Sequence, residues 1–154
     1  MTVVFSPHPG GARPRAERKP LSHMPSSPEI EQTHHWCEVA AQAAASKKAD
    51  DIVILDVGEV LVITDAFVIA SASNDRLVRT IAEEVEKRLK EEGRGGPRRV
   101  EGLREAEWVL LDYGDFVVHV FLEETRRFYD LERLWSDAPR VHWEERLPAR
   151  VAGE

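Results

Sequence analysis

Apolar residues recur at the three- and four-residue spacing of an amphipathic helix in three parts of the chain. The first is an alanine-rich stretch at 32–48, with apolar positions at Trp36, Val39, Ala40 and Ala43. The second is a stripe made by Leu77, Ile81, Val85 and Leu89, which is widened by Val78 and Ala82. The third is a shorter run ahead of Pro139, with apolar positions at Phe128, Leu131, Leu134 and Trp135. We predict a helix in each part, the last being one or two turns that pack back on the fold.

The long second helix has recognisable boundaries. Ser73 or Asn74 is placed to accept a hydrogen bond from a free N–H group of the first turn. Gly93 follows the last apolar position, where a glycine commonly ends a helix. We therefore expect this helix to run from about residue 75 to about Glu92.

Shorter apolar runs rich in Val, Ile and Phe predict strands at 52–57, 66–72 and, more weakly, 98–102. The longest run, 108–122, is interrupted only by Asp112-Tyr113-Gly114-Asp115, a sequence typical of a hairpin turn. With the turn centred on residues 113 and 114, we expect Leu110 to face Val117 and Trp108 to face His119. The hairpin strands are apolar on both faces, which favours central strands covered on each side.

The order helix, strand, strand, helix, strand, hairpin, helix defines an α/β (α+β) fold class. We predict one mixed five-stranded sheet flanked by helices, because each apolar sheet face must be buried against another layer. A helix between two strands also permits a parallel crossover.

Composition narrows the location and the class of partner. The 154 residues carry a formal net charge of −7 and one cysteine, Cys37. One cysteine leaves no internal disulfide and no cysteine-based metal cluster, so a cytoplasmic location is expected. No apolar run reaches the roughly 18 residues of a membrane helix, and we expect no membrane contact. The acidic charge disfavours broad binding of nucleic-acid phosphates and favours a basic protein partner.

The two ends of the chain differ from the middle. Residues 1–30 contain six prolines and a small cluster of basic side chains but no apolar periodicity. A disordered leader is the first interpretation; an upstream extension before a start at Met24 is the second, and a targeting segment the third. Residues 31–143 then form the domain, and residues 144–154 a loose polar tail.

The hairpin carries the candidate contact residues. Trp108, Asp112, Tyr113 and Asp115 place two large aromatic side chains and two carboxylates on one hairpin, and Trp and Tyr dominate the energetics of protein interfaces. Trp108 alone is more often a core residue. His119, between apolar neighbours, is more often a packed and hydrogen-bonded residue than a catalytic base. We predict that the four candidates form one exposed aromatic and acidic contact site; a cap over the core is the other interpretation.

Two other groups of side chains raise the question of metal binding or catalysis. His34, His35 and Glu38 lie within one helical turn, but adjacent histidines point about 100° apart, so a solvated face is the preferred interpretation. Asp56 and Asp65 border consecutive strands, so their carboxylates can approach each other. They either serve turns and caps or hold Mg²⁺ in a nucleotidyl- or phosphoryl-transfer enzyme.

The sequence lacks the glycine-rich phosphate-binding motifs and the common hydrolase and metalloprotease motifs. We therefore predict no catalytic residue, no cofactor and no metal site. The transfer enzyme is kept as the alternative hypothesis.

Several segments together resemble the Iojap-like ribosomal silencing factors. They are D-I-V-I-L-D-V, T-D-A-F-V-I-A-S-A-S, W-V-L-L-D-Y-G-D-F-V-V-H-V-F and R-R-F-Y-D-L-E-R-L-W, in this order across residues 33–138. The last two motifs are the most specific. One departure is Ala66, where the family usually carries a larger residue.

The resemblance implies a fold related to the nucleotidyltransferases without their catalytic residues. It also implies binding to the large ribosomal subunit through its fourteenth large-subunit protein, which blocks subunit joining and represses translation. By the same resemblance, Trp108, Asp112, Tyr113 and Asp115 make this contact. Arg126 and Arg127 either contribute beside it or pair with Glu123 and Glu124. A homodimer of the free protein, formed through the same surface, is a further expectation.

Overall fold

The computed structural model describes residues 27–58, 61 and 63–143. The leader predicted at 1–30 lies outside the described residues except for its last four positions, and the tail predicted at 144–154 lies outside them entirely. The elements of the described part follow in chain order as α1 (Pro28–Ser46), β1 (Asp50–Asp56), β2 (Ala66–Ala72), α2 (Asp75–Glu91), β3 (Arg99–Glu101), β4 (Trp108–Asp112), β5 (Phe116–Leu122), α3 (Glu123–Tyr129) and α4 (Leu131–Leu134).

The five strands form one sheet in the order β1-β2-β5-β4-β3. β2 and β5 pair in parallel, and the other neighbours pair antiparallel. The predicted mixed five-stranded sheet with flanking helices is therefore confirmed. The hairpin supplies the central strand β5 and its neighbour β4, as their apolar faces indicated.

The register of the hairpin differs from the prediction by two residues. Trp108 pairs with Phe121, and Leu110 pairs with His119. The turn is closed by the N–H of Tyr113, which donates to the carbonyl of Phe116 at 2.9 Å. Gly114 adopts φ +93°, a conformation that favours glycine. The observed pairing places the turn centre one position later than expected. A two-residue shift keeps every side chain on the same face of the sheet, because side chains alternate with a period of two.

Helices α1 and α2 cover one face of the sheet. The predicted stripe of α2 is buried at Val78, Ile81, Ala82, Val85 and Leu89. Asn74 caps this helix, since its Oδ1 accepts from the N–H of Leu77 at 2.8 Å. Helix α1 begins four residues before the predicted start, because Ser27 accepts a hydrogen bond from the N–H of Ile30 at 3.1 Å. Together these helices and the inner sheet residues form the larger hydrophobic cluster.

The opposite face of the sheet has a smaller cluster and thinner cover. Its buried members include Leu55, Phe67, Ile69 and Phe121, against which Leu131 and Trp135 pack. A helical stretch packing back on the sheet was expected here, and this expectation is only partly right. The segment breaks into α3 and α4 at Asp130, whose φ is +49°, and the side chains of Phe128 and Leu134 are 80% and 68% exposed.

Candidate interaction surface

The structure does not bring the four predicted contact residues together. Trp108 is the first residue of β4 and Asp112 the last, so they are separated by roughly 13 Å of strand. Trp108 packs with the smaller cluster on one sheet face, whereas Tyr113 belongs to the larger cluster on the other. Asp112, Tyr113 and Asp115 lie together at the turn. The prediction of one exposed site made by all four residues is therefore wrong.

At the turn, Asp112 and Tyr113 are buried. Asp112 is 6% exposed; its Oδ1 accepts from the N–H of Gly114 at 2.8 Å, and its carboxylate pairs with Arg98 and Arg99 at 3.4 and 3.3 Å. Tyr113 is 5% exposed and stacks on Phe116 with ring centroids 4.7 Å apart. Burial raises the pKa of the Tyr113 hydroxyl. These two side chains stabilise the turn and offer little surface to a partner.

Asp115 connects the turn to the helices. Its Oδ1 accepts from Arg94 Nη2 at 3.0 Å, and its Oδ2 accepts from the Thr33 hydroxyl at 3.0 Å. The Arg94 guanidinium also donates to the carbonyl of Tyr113 at 2.8 Å and lies 5.4 Å from the centre of its ring. Both carboxylate oxygens of Asp115 thus hold α1 and the segment after α2 against the hairpin.

Asp56 and Asp65 approach each other, as their positions indicated. A Cβ placed on Gly58 would lie 3.2 Å from Asp65 Oδ1 and 3.5 Å from Asp56 Oδ1. Asp56 Oδ1 accepts from the N–H of Gly58 at 3.2 Å, which is a turn role. Among the described residues, no group of three or more His, Cys, Asp or Glu side chains is placed to hold a metal ion. The geometry gives the Mg²⁺-dependent alternative no support.

His34 connects α1 to this acidic pair. Its Nε2 lies 3.6 Å from Asp56 Oδ2, so the solvated role predicted for this helix face is wrong at His34. The His34 imidazole is the main cause that lowers the pKa of Asp56, ahead of the opposing effect of burial. Burial, followed by the charges of Asp115 and Asp56, raises the pKa of Asp65. The two carboxylates therefore differ in what they contribute to stability.

The Trp108 end of the hairpin presents aromatic side chains to the surface. Trp108 is half-buried, and its ring lies 4.8 Å from the rings of both Phe121 and Tyr129. Tyr129 is 50% exposed and Phe128 is 80% exposed, with their ring centroids 5.0 Å apart. We call Trp108, Phe128 and Tyr129 the aromatic patch. Such large apolar side chains left exposed together mark interaction surfaces.

A buried arginine holds the patch-bearing helix in place. Arg126 is 7% exposed and donates to both carboxylate oxygens of Glu132 and to the Ser71 hydroxyl, the last at 3.0 Å. These bonds tie α3 to α4 and to the end of β2 across the bend at Asp130. Arg126, expected as a neighbouring contact, is thus an internal support, whereas Arg127 is exposed.

The sequence analysis missed Phe128 and Tyr129 as surface residues. Adjacent side chains on a helix point about 100° apart, so two adjacent large rings on a seven-residue helix fit into one core less readily than residues three or four apart. This adjacency was a usable signal. The apolar spacing of Phe128, Leu131, Leu134 and Trp135 concealed it, because that spacing assumed a continuous helix.

The Trp108 end offers contact area, whereas two buried ionisable groups, one beside Trp108 and the other on α1, are unsuited to proton transfer at neutral pH. Burial lowers the pKa of His119 to about 3, so this imidazole stays neutral. Cys37 is buried, and burial raises the pKa of its thiol. None of the helices that the structure describes is long and apolar enough to cross a membrane. Fold and surface define an α+β domain with an exposed aromatic patch.

Comparison with known proteins gives a family. The model of a family described as ribosomal silencing factor during starvation matches residues 30–153. A Bacillus subtilis protein named ribosomal silencing factor RsfS is 42% identical over 102 residues, covering 66% of this chain and 86% of the relative. A mouse protein named mitochondrial assembly of ribosomal large subunit protein 1 is 34% identical over 92 residues, covering 58% of this chain and 40% of the relative.

Two solved structures are similar to this chain in fold and in sequence. A crystal structure of a Chromobacterium violaceum protein superposes with a TM-score of 0.64 at 35% identity, covering 67% of this chain and 85% of that one. A Bacillus halodurans structure gives a TM-score of 0.62 at 37% identity, covering 71% and 98%.

The chain belongs to the family of ribosomal silencing factors, which confirms the resemblance found in the sequence motifs. This family membership assigns it to translation regulation at the ribosome as a regulatory factor.

Proposed function

We propose that this protein binds the large ribosomal subunit through the aromatic patch and blocks joining with the small subunit by steric exclusion. The observation that carries the proposal is the exposure of Phe128 and Tyr129 beside Trp108 on a rigid support. Blocking of this kind requires only that the protein occupy one face of the large subunit. No covalent bond needs to be made or broken. Repression of translation in the cytoplasm follows from the loss of joined ribosomes.

Charge and family support the class of partner. The net charge of −7 complements a basic ribosomal protein, and charge complementarity speeds encounter. The name of the mouse relative refers to the large ribosomal subunit. The fourteenth large-subunit protein, which the sequence resemblance implies, is the partner we propose.

The four residues chosen from the sequence have different roles in this proposal. Trp108 contacts the partner directly at the edge of the patch. Asp112, Tyr113 and Asp115 act indirectly, because their side chains hold the turn and the helices together. The contact site therefore moves from the turn of the hairpin to its opposite end.

Co-sedimentation with purified large subunits tests the proposal. Phe128→Ser removes a ring that is 80% exposed. We expect at least about 30-fold weaker binding, which is the loss of affinity typical of a central hot-spot residue. Subunit joining in the presence of this variant should recover in parallel. Wild-type affinity of Phe128→Ser would refute the assignment of the patch.

Val100→Ser is the matched control. Val100 is 37% exposed and pairs with Leu111, whose side chain belongs to the opposite face of the sheet. An exposed apolar side chain is also lost there, although it is smaller than that of Phe128, and this change should leave binding unchanged. Sedimentation equilibrium of the free protein, wild type against Phe128→Ser, will also show whether a homodimer uses the same patch.

A further inference from the structure

Trp108 is held by a partly buried hydrogen bond within the sheet. Trp108 and His119 are diagonal neighbours on one face of β4 and β5. The indole Nε1–H of Trp108 donates to His119 Nδ1 at 3.0 Å. An indole N–H can only donate, so Nδ1 must be the unprotonated nitrogen of the imidazole. In the neutral ring the proton therefore sits on Nε2.

The other side of the His119 ring has no polar partner. His119 is 4% exposed, and its Nε2 is buried with no hydrogen-bond partner among the described residues. Its surroundings are the rings of Phe67 from β2, Trp108 from β4 and Phe121 from β5. Tyr129, a titratable side chain, packs against the ring of Trp108. A buried donor left unpaired destabilises a fold, so an apolar residue here would be better for stability alone.

We infer that His119 is a positioning residue for partner binding: its Nδ1 fixes the indole of Trp108 in the orientation that the aromatic patch requires. This inference rests on the proposed function of that patch. An indole held in one rotamer loses less conformational freedom on binding, and a contact that is already ordered gains affinity. The unpaired Nε2 lowers the stability of the fold, and this loss accompanies the fixed orientation of the indole.

Two substitutions of similar size separate positioning from packing. His119→Asn keeps an acceptor oxygen near the place of Nδ1, whereas His119→Leu fills the same space without an acceptor. We expect His119→Leu to bind large subunits about three- to tenfold more weakly than wild type, the effect of one hydrogen bond. His119→Asn should recover most of that affinity.

The stability of the variants provides the decisive readout. If His119 served only the stability of the fold, its replacement by leucine would make the protein less stable. We expect His119→Leu to unfold at the same or higher urea concentration than wild type, because the buried unpaired donor is gone. Loss of affinity without loss of stability supports positioning. Equal affinity of the leucine and asparagine variants overturns it.

A Trp108→Phe background tests whether the effect passes through the indole. Phenylalanine has no N–H, so the difference in affinity between His119→Asn and His119→Leu should vanish there. A difference that persists would overturn the inference. If wild-type protein itself does not bind large subunits, the proposed function fails; if it binds but this cycle shows no coupling, the inference about His119 fails alone.

The wild-type protein gives an independent test if His119→Leu does not fold. In ¹H–¹⁵N spectra, assigned with Trp108→Phe, the Trp108 indole N–H should exchange slowly with solvent. Its resonance should stay constant from pH 8 to pH 5, because His119 remains neutral. An indole signal that exchanges freely, or that shifts with a midpoint near pH 6.5, would overturn the inference.

Discussion

The two ends of the central hairpin use their aromatic residues in opposite ways. At the turn end, Tyr113 stacks on Phe116 under Arg94, and the Arg94 guanidinium is hydrogen-bonded to Asp115. At the Trp108 end, Tyr129 and Phe128 extend to the surface on a short helix held by Arg126. The difference teaches that an aromatic residue near a loop stays available at the surface only where no second layer covers it.

Replacement of Tyr113 should give the largest effect of the changes considered for the two ends. Tyr113→Ala removes a buried ring, and we expect a loss of about 3–5 kcal/mol in the free energy of unfolding. Urea denaturation measures it. Tyr113→Phe is the matched control and should be neutral or stabilising, because the hydroxyl is buried without a hydrogen-bond partner among the described residues. A soluble, stable Tyr113→Ala protein with weakened ribosome binding would instead return the contact site to the turn.

Acid should act on the Trp108 end through His119. The folded-state pKa of about 3 lies below the ordinary value of 6.5, so the unfolded chain binds the extra proton between these values. Protonation therefore does not oppose folding above pH 6.5, and the stability of the wild-type protein decreases as the pH falls below 6.5. Relative to its value at pH 7.5, the stability of His119→Leu minus that of wild type should rise by about 2–3 kcal/mol at pH 4.5. A difference that does not change with pH would contradict this.

Gly102 supports the start of β4 and should show a somewhat smaller effect. Its φ is +86°, and a Cβ there would lie 2.0 Å from the carbonyl oxygen of Trp108. Gly102→Ala must therefore displace the Trp108 backbone, and we expect about 2 kcal/mol lower stability together with weaker subunit binding. Gly96→Ala is the control, since nothing lies within 4 Å of its added Cβ. An unchanged Gly102→Ala protein would show that the Trp108 end is more adaptable than its contacts indicate.

The smallest effects concern the acidic pair near the turn end, and they should have opposite signs. The lowered pKa of Asp56 means that its ionised form stabilises the fold above the unfolded value of 3.8 and that this is lost in acid. The raised pKa of Asp65 means that ionisation opposes folding at neutral pH. At pH 7, Asp56→Asn should lower the melting temperature and Asp65→Asn should raise it. Shifts of the same sign would contradict the assignment.

The sequence predicted the elements that depend on local pattern. The stripe from Val78 to Leu89 predicted α2, and the structure confirms this helix. One apolar face at helical spacing is compatible with few other structures. The apolar runs on either side of Gly114 predicted the hairpin, and the antiparallel pairing of β4 and β5 confirms it. The family motifs gave the class of protein, since they combine residues from several elements in a fixed order.

Tertiary structure alone decided the register, the exposure of single residues and the position of the exposed aromatic patch. The turn centre depends on the hydrogen bond between Tyr113 and Phe116, which no local pattern specifies. The break at Asp130 turns Phe128 outward because Arg126 reaches Glu132 and Ser71, residues separated from it by 6 and 55 positions. Apolar spacing reports the face on which a side chain lies, whereas the presence of a covering layer depends on parts of the chain that are distant in sequence.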